Sequence, residues 1–149
     1  MPGVRREPLN PSDLTDTLVD GHSQGVLVQG GCRVLISSQA GVDAEANLAG
    51  PDLTKQTEAA LDNVERLLSS LDGNLSHVVM LRIYLTECAR YDQQTVIEVL
   101  RHRFLAAPPA ASWLIVYGLP EPEWLIAVEA EAVVPERTDS ACPNSPITC

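Results

Sequence analysis

Residues 52–86 constrain the fold more than any other stretch, because an amphipathic helix, a glycine stop and a strand follow one another there without a gap. Leu53, Ala60, Leu61, Val64, Leu67, Leu68 and Leu71 recur at three- and four-residue steps and share one helical face. Lys55, Glu58, Asp62, Glu65 and Arg66 take the other face. Asp52, directly after Pro51, is placed to accept the first free amide hydrogens as an N-cap, and Gly73 is the expected left-handed residue at the helix end. From Val78 the period changes to two, with Val79, Leu81, Ile83 and Leu85 on one face and Met80, Arg82 and Tyr84 on the other.

The remaining elements are placed around this unit. Residues 1–20 are rich in proline and polar side chains, with a short irregular strand expected around residues 17–19. Residues 25–28 and 34–37, joined by Gln29-Gly30-Gly31-Cys32, read as a hairpin whose glycines allow positive dihedrals. Residues 91–105 repeat the helical period until Pro108 and Pro109, which cannot donate to a helix ladder. Residues 112–119 and 124–134 read as two further strands. The expected organisation is a segment over 1–20, a domain over 21–134 and a flexible tail over 135–149.

A chain of 149 residues with 45% hydrophobic content suits one domain. Its net charge of -10, with only ten Lys and Arg, argues against a nucleic-acid partner, since phosphate binding needs clustered cations. No run is long and apolar enough for a membrane span, and the first residues lack the apolar core of a signal peptide, so a cytoplasmic location is expected. Cys32, Cys88, Cys142 and Cys149 stand at spacings that match no zinc or redox motif, so free thiols and no metal are expected. A bridge between Cys142 and Cys149 is the alternative in an oxidising setting.

The strands are apolar on both faces: Trp113, Ile115, Tyr117 and Leu119 alternate with Leu114 and Val116, and Ile126 and Val128 alternate with Leu125 and Ala127. Two helices cover one face of such a sheet at a layer spacing of about 10 Å. The other face then needs a partner, which predicts a homo-oligomer with ligand sites in the clefts between subunits.

Several motifs point the same way. The run Asp52 to Leu68, the stop Asp72-Gly73-Asn74-Leu75-Ser76-His77 and the strand end Tyr84-Leu85-Thr86 resemble the Rid family of reactive intermediate deaminases, also called the YjgF family. His22-Ser23-Gln24-Gly25 is similar to the family's entry motif, Ser37-Ser38-Gln39 to its Ser-Gly-Gln, and Pro109-Ala110-Ala111-Ser112 to its Pro-Ala-Arg-Ser/Thr. Leu119-Pro120 and the strand from Leu125 to Ala132 follow in the family's order. The resemblance implies a chorismate-mutase-like α+β domain: a mixed sheet of about five or six strands, two helices on one face, assembled as a homotrimer. It also implies a small-molecule ligand in the intersubunit cleft, hydrolysis of imines or enamines, and no cofactor. In the family an arginine fixes the substrate carboxylate and a nearby glutamate positions water.

This sequence differs at those positions. Ala111 stands where the family has its arginine, Ala127 where it has the first glutamate of the last strand, His22 at the entry tyrosine and Ser38 at the middle glycine of Ser-Gly-Gln. A charged hydrogen bond contributes roughly 1.5 to 3 kcal/mol, which alanine cannot supply. The candidate catalytic residues are His22, because imidazole changes charge near neutral pH, and Glu129, two residues beyond Ala127 on the same strand face. Glu129 also reads as a structural hydrogen-bonding partner, and His22 as a surface histidine. The candidate substrate-binding residues are Ser37, Ser38, Gln39, Ala111, Trp113 and Ala127, with Trp113 as a flat apolar wall on the same strand face as Ala111. Together they imply a larger, more apolar cleft than the family's, suited to a neutral, bulky or aromatic ligand. Arg82 reads as an interface salt bridge or a contact for an anionic ligand. Two function classes follow: a divergent Rid-type enzyme of specialised metabolism acting on a reactive intermediate, or a non-catalytic trimer that binds a metabolite or partner.

Overall fold

A computed structural model describes residues 3–137. Six strands and two helices run in the order β1 (Arg5–Leu9), β2 (Gly25–Gln29), β3 (Cys32–Ala40), α1 (Leu53–Ser69), β4 (Val78–Thr86), α2 (Gln93–Arg103), β5 (Ala110–Val116) and β6 (Ile126–Val134). Strands β3-β6-β4-β5 form one mixed sheet, in which only β4 and β5 are parallel, and β1-β2 form a separate antiparallel ribbon. The architecture is the α+β one expected, with two helices and a mixed sheet, although the six strands divide into four and two.

The helix–strand unit forms for the reasons its sequence gives. Asp52 Oδ1 accepts the Lys55 amide hydrogen at 2.8 Å, and α1 buries Leu53, Ala60, Leu61, Val64 and Leu68. These pack with Ile36, Leu81, Ile83, Leu85, Val128 and Ala130 into one core between helices and sheet. The helix ends differently from expectation. Asp72, not Gly73, takes the left-handed conformation, with φ 58°. Gly73 instead sits in a tight space, since a Cβ there would lie 3.0 Å from Val134 Cγ1 and 3.1 Å from the Leu68 oxygen. At the start of β4 the inward residue is Val78 rather than Val79, since the ladder to β6 slips between Val78 and Met80.

Two other expectations are corrected. The segment around residues 17–19 is not a strand but a 3-10 turn, Leu18–Asp20, whose first amide is held by Asp16 Oδ1 and which ends at Gly21 with φ 80°. The N-terminal strand lies earlier, at Arg5–Leu9. Gly30 and Gly31 do turn the chain, at φ 76° and 77°, but β2 and β3 do not form a hairpin ladder. β2 pairs with β1, from Arg5↔Gln29 to Leu9↔Gly25, while β3 pairs with β6. The two-glycine link reverses the chain without fixing which strands pair, and pairing is settled by the sheet as a whole. β5 and β6 are also shifted: β5 starts two residues early, and Trp124 and Leu125 belong to the preceding turn, where Gln56 Oε1 accepts the Leu125 amide hydrogen at 2.8 Å. The expected flexible tail falls partly, and the Cys142–Cys149 alternative wholly, outside the described residues.

Between the helices, Arg103 is 15% exposed and reaches Glu58 (2.6 Å), Asp62 (3.0 Å) and Glu65 (3.2 Å) on α1. Burial alone would lower its pKa, but the hydrogen bonds and charges of Glu58 and Asp62 outweigh it and raise the value. A cation so shifted contributes stability that is fully present below its ordinary pKa and is lost only as pH rises through the raised one.

Leu61→Ala is expected to destabilise the fold by about 2–5 kcal/mol, the cost of lost burial plus a cavity, read from the denaturant midpoint. Arg103→Met is expected to cost about 1–2 kcal/mol, discounted for the partial exposure of its carboxylate partners. The loss should be equal at about pH 6 and about pH 9, both far below the range where Arg103 titrates; two urea melts check it.

Candidate functional site

The helices leave one face of the four-stranded sheet open. By register it carries Arg33, Leu35 and Ser37 from β3, Glu129 and Glu131 from β6, Arg82 and Tyr84 from β4, and Ser112 and Leu114 from β5. Arg82 Nη1 donates to Glu129 Oε2 at 3.1 Å and to Glu131 Oε1 at 3.4 Å, and Arg33 reaches Glu131 Oε2 at 3.1 Å. The Tyr84 hydroxyl donates to Glu129 Oε1 at 3.2 Å. Desolvation pushes the Tyr84 pKa up, the bond to Glu129 and its negative charge push it further, and Arg82 opposes both. The phenol therefore stays a donor at neutral pH. A depression of about 280 Å³ beside this network is lined by Leu35, Ser37, Arg82, Glu129 and Glu131.

The entry segment forms a second locus, at the start of β5. Ser23 is 1% exposed; its amide donates to the Pro109 oxygen at 2.8 Å and its hydroxyl to the Pro108 oxygen at 2.6 Å. Ser23 and Ala110 form a parallel bridge. His22 is held next to them by a reciprocal pair: its amide donates to the Thr17 oxygen at 3.2 Å, and Thr17 Oγ1 donates to the His22 oxygen at 2.9 Å. Asn10 Oδ1 accepts the Gln24 amide hydrogen at 2.9 Å, and Gln24 Nε2 donates to the Thr15 oxygen at 2.6 Å. On the other side Gly21 lies against α2 so closely that a Cβ would stand 3.0 Å from Leu100 Cβ. His22 Nδ1 is buried and has no hydrogen-bond partner among the described residues.

Within one chain the expected site residues are divided. Ser37 and Glu129 meet in the open-face depression. Ala127 belongs to the same face by its pairing with Tyr84, and is buried. Ala111 and Trp113 do share a face, but it is the opposite one: they pair with Leu81 and Ile83 and pack against the helix-covered core. Ala111 and Trp113 thus share a face, as their spacing requires, while Ala127 lies on the other face of the same chain's sheet, because the β4–β5 and β4–β6 registers set their parity. Ser38 sits exposed in the irregular stretch of the β3–β6 ladder between Ile36 and Gln39. Gln39 lines a different groove, with Asn63 and Arg66. His22 lies at the Ala110–Ala111 end of β5. Arg82 makes salt bridges within the chain, to Glu129 and Glu131 across the strands, rather than to a partner, and His77 is structural, accepting the Asn74 amide hydrogen at Nδ1. What sequence reasoning missed was the docking of Ser23 on Pro108 and Pro109, 85 residues away, and the Thr17 bond. The alternation on β4 and β6 gives the face of Tyr84 and of Glu129 on each strand, but their contact depends on the β4–β6 register.

The comparisons with known proteins agree with this architecture. The family described as Endoribonuclease L-PSP matches residues 17–134. This chain belongs to the Rid/YjgF/L-PSP family. Protein DfrA of Myxococcus xanthus is 32% identical over 110 residues, spanning 73% of this chain and 82% of that protein. The crystal structure of YyfB from Yersinia pestis, a Rid-family protein of unknown function, superposes with a TM-score of 0.82 at 28% identity, covering 87% of this chain and 98% of that one. A member of the YjgF/YER057c/UK114 family from Mycobacterium tuberculosis gives a TM-score of 0.60 at 29% identity, over 87% of this chain and 100% of that one. The Rid fold thus accounts for the sheet order, and no helix among the described residues is long and apolar enough to cross a membrane.

Ser23→Ala removes the hydroxyl that satisfies the Pro108 oxygen. It is expected to cost about 1–2 kcal/mol and to speed amide exchange at Ser23 while exchange in α1 stays slow, as native-state hydrogen exchange would show.

Proposed function

We propose that this chain is a divergent Rid-family enzyme that hastens the breakdown of a reactive imine or enamine in a cleft between the subunits of a homotrimer. The observation that carries the reading is His22, whose buried Nδ1 has no partner among the described residues and whose neighbour Ser23 bridges to Ala110, one residue before the position where the resemblance puts the family's arginine. An unpaired buried polar atom is costly and needs an explanation. A proton-transferring imidazole is one. In the reaction, water adds to the imine carbon as His22 takes its proton and hands it to the nitrogen, and His22 then carries the proton of the resulting hydroxyl group to the departing amine. The carbon–nitrogen bond then breaks, giving a carbonyl compound and ammonia, and His22 returns to its starting state. No arginine stands at position 111, so the substrate is held without the family's carboxylate clamp. A place in specialised metabolism suits such a departure.

The trimer part of the reading rests on the open sheet face. Leu35, 67% exposed, and the exposed Leu114 lie there beside a network of two guanidinium groups and two carboxylates. Such a balanced network is less costly to cover than a lone charge. A site built from two chains would also reconcile the opposite faces occupied by Ala111 and Ala127.

A second reading, a non-catalytic binder, is favoured by one specific contact. Glu129, the other candidate base, is engaged by both Arg82 and Tyr84, as a structural residue would be. Cleavage of RNA, which the family's description names, fits this chain poorly: seven of its ten cations are paired with carboxylates.

The test is the decay of an imine made in place by an amino-acid oxidase and followed by trapping, with parent, His22→Gln and Ala111→Arg proteins. We expect the parent to accelerate decay and His22→Gln to lose about 10²-fold or more of that rate. Acceleration by Ala111→Arg alone would favour the binder. Light scattering should give the mass of three chains.

A further inference from the structure

A groove separate from both loci, though its Gln39 stands only two residues from Ser37 of the open-face depression, carries an inference of its own. It has a volume of about 460 Å³ and runs between the end of β3 with its following loop and the outer side of α1, lined by Gln39, Val42, Asn63, Arg66, Leu67 and Ser70 among others. This volume lies in the range of about 300–1,000 Å³ usual for small-molecule sites.

The Asn63 amide in it is fixed by its contacts. Asn63 Nδ2 donates to the Ala40 oxygen at 3.1 Å and to the Val42 oxygen at 2.9 Å. Both donors of the amide are thereby spent on carbonyls, so the orientation of the group follows from its contacts, and Oδ1 must accept. It accepts from Arg66 Nη1 at 2.8 Å. An amide oxygen takes one N–H of the guanidinium and none of its charge. Among the described residues Arg66 has no carboxylate partner, in a chain where acids outnumber Lys and Arg twenty to ten and seven of those ten are paired.

The acid in the groove does not fill that gap. Asp43 accepts the amide hydrogens of Glu45 (3.0 Å) and Asn47 (2.8 Å) and one from Asn47 Nδ2 (3.1 Å). Those bonds, the Asn47 amide foremost, hold its carboxyl below the ordinary value. Its oxygens are occupied in tying the turn. Leu67, 44% exposed on α1, and Val42 supply apolar surface next to the guanidinium.

We propose that this groove binds a small organic monocarboxylate with an apolar body, its carboxylate on Arg66 and its hydrocarbon part against Leu67 and Val42. A guanidinium fork suits a planar carboxylate, and the apolar wall discriminates against inorganic anions and polyphosphates. The site is independent of His22 and of the proposed imine chemistry.

The probe is phenylacetate, titrated into ¹⁵N-labelled protein and followed by amide chemical shifts, with phenylacetamide as the uncharged control. The expected result is a saturable set of shifts confined to residues 39–44 and 63–70, absent with the amide and weakened about tenfold or more in Arg66→Gln. Arg66→Lys, which keeps the charge and loses the fork, should fall between them. Equal affinity for phenylacetamide, equal affinity in a folded Arg66→Gln, shifts elsewhere, or no saturable shift in the parent would each overturn the proposal. Imine turnover, measured on the same Arg66→Gln protein, should be unchanged.

Discussion

Two helices can cover one face of a four-stranded sheet and no more, and most of this molecule follows from that. The apolar stripe of α1 commits Leu81, Ile83 and Leu85 of β4, and Val128 and Ala130 of β6, to the covered side. Strand geometry then sends their neighbours to the other side whatever their chemistry. Those neighbours are Arg82, Tyr84, Glu129 and Glu131. Their charges cannot be left unpaired on a surface that also carries Leu35 and Leu114, so they satisfy one another across strands. The electrostatics of the open face are thus a consequence of packing on the closed one.

Wherever a local pattern and a burial pattern agreed, the sequence was legible. Residues 52–86 show both, and the observed helix and strand agree with expectation except at their ends. The family resemblance also held, since its motifs sit on those same elements. Pairing between distant segments was not legible: Gly30 and Gly31 mark a turn, but nothing near them says that β2 will prefer Arg5–Leu9 to β3. A turn specifies a reversal, whereas a partner is specified by the whole sheet.

The candidate site follows the same rule. The sequence singled out Ser37 and Glu129, which meet, and Ala111, Trp113 and Ala127, which lie on opposite faces of one chain's sheet. Parity along a single strand was readable from spacing. Parity between β5 and β6 passes through β4, and therefore through two registers that no short motif encodes. The histidine at position 22 could be nominated from its residue type, but its unpartnered nitrogen is a property of the loop that Thr17, Ser23 and Gly21 hold in place.

The docking of Ser23 on Pro108 has a bearing on the order in which the chain assembles. Closing a contact across so much intervening chain carries a loop entropy that falls steeply once the segments between have folded. During synthesis the entry segment and the β1–β2 ribbon leave the ribosome first, yet their anchor, the start of β5, is among the last parts made. The N-terminal ribbon is therefore expected to wait, paired with itself, until α2 and β5 are in place. The segment that presents His22 becomes ordered only when nearly everything else is.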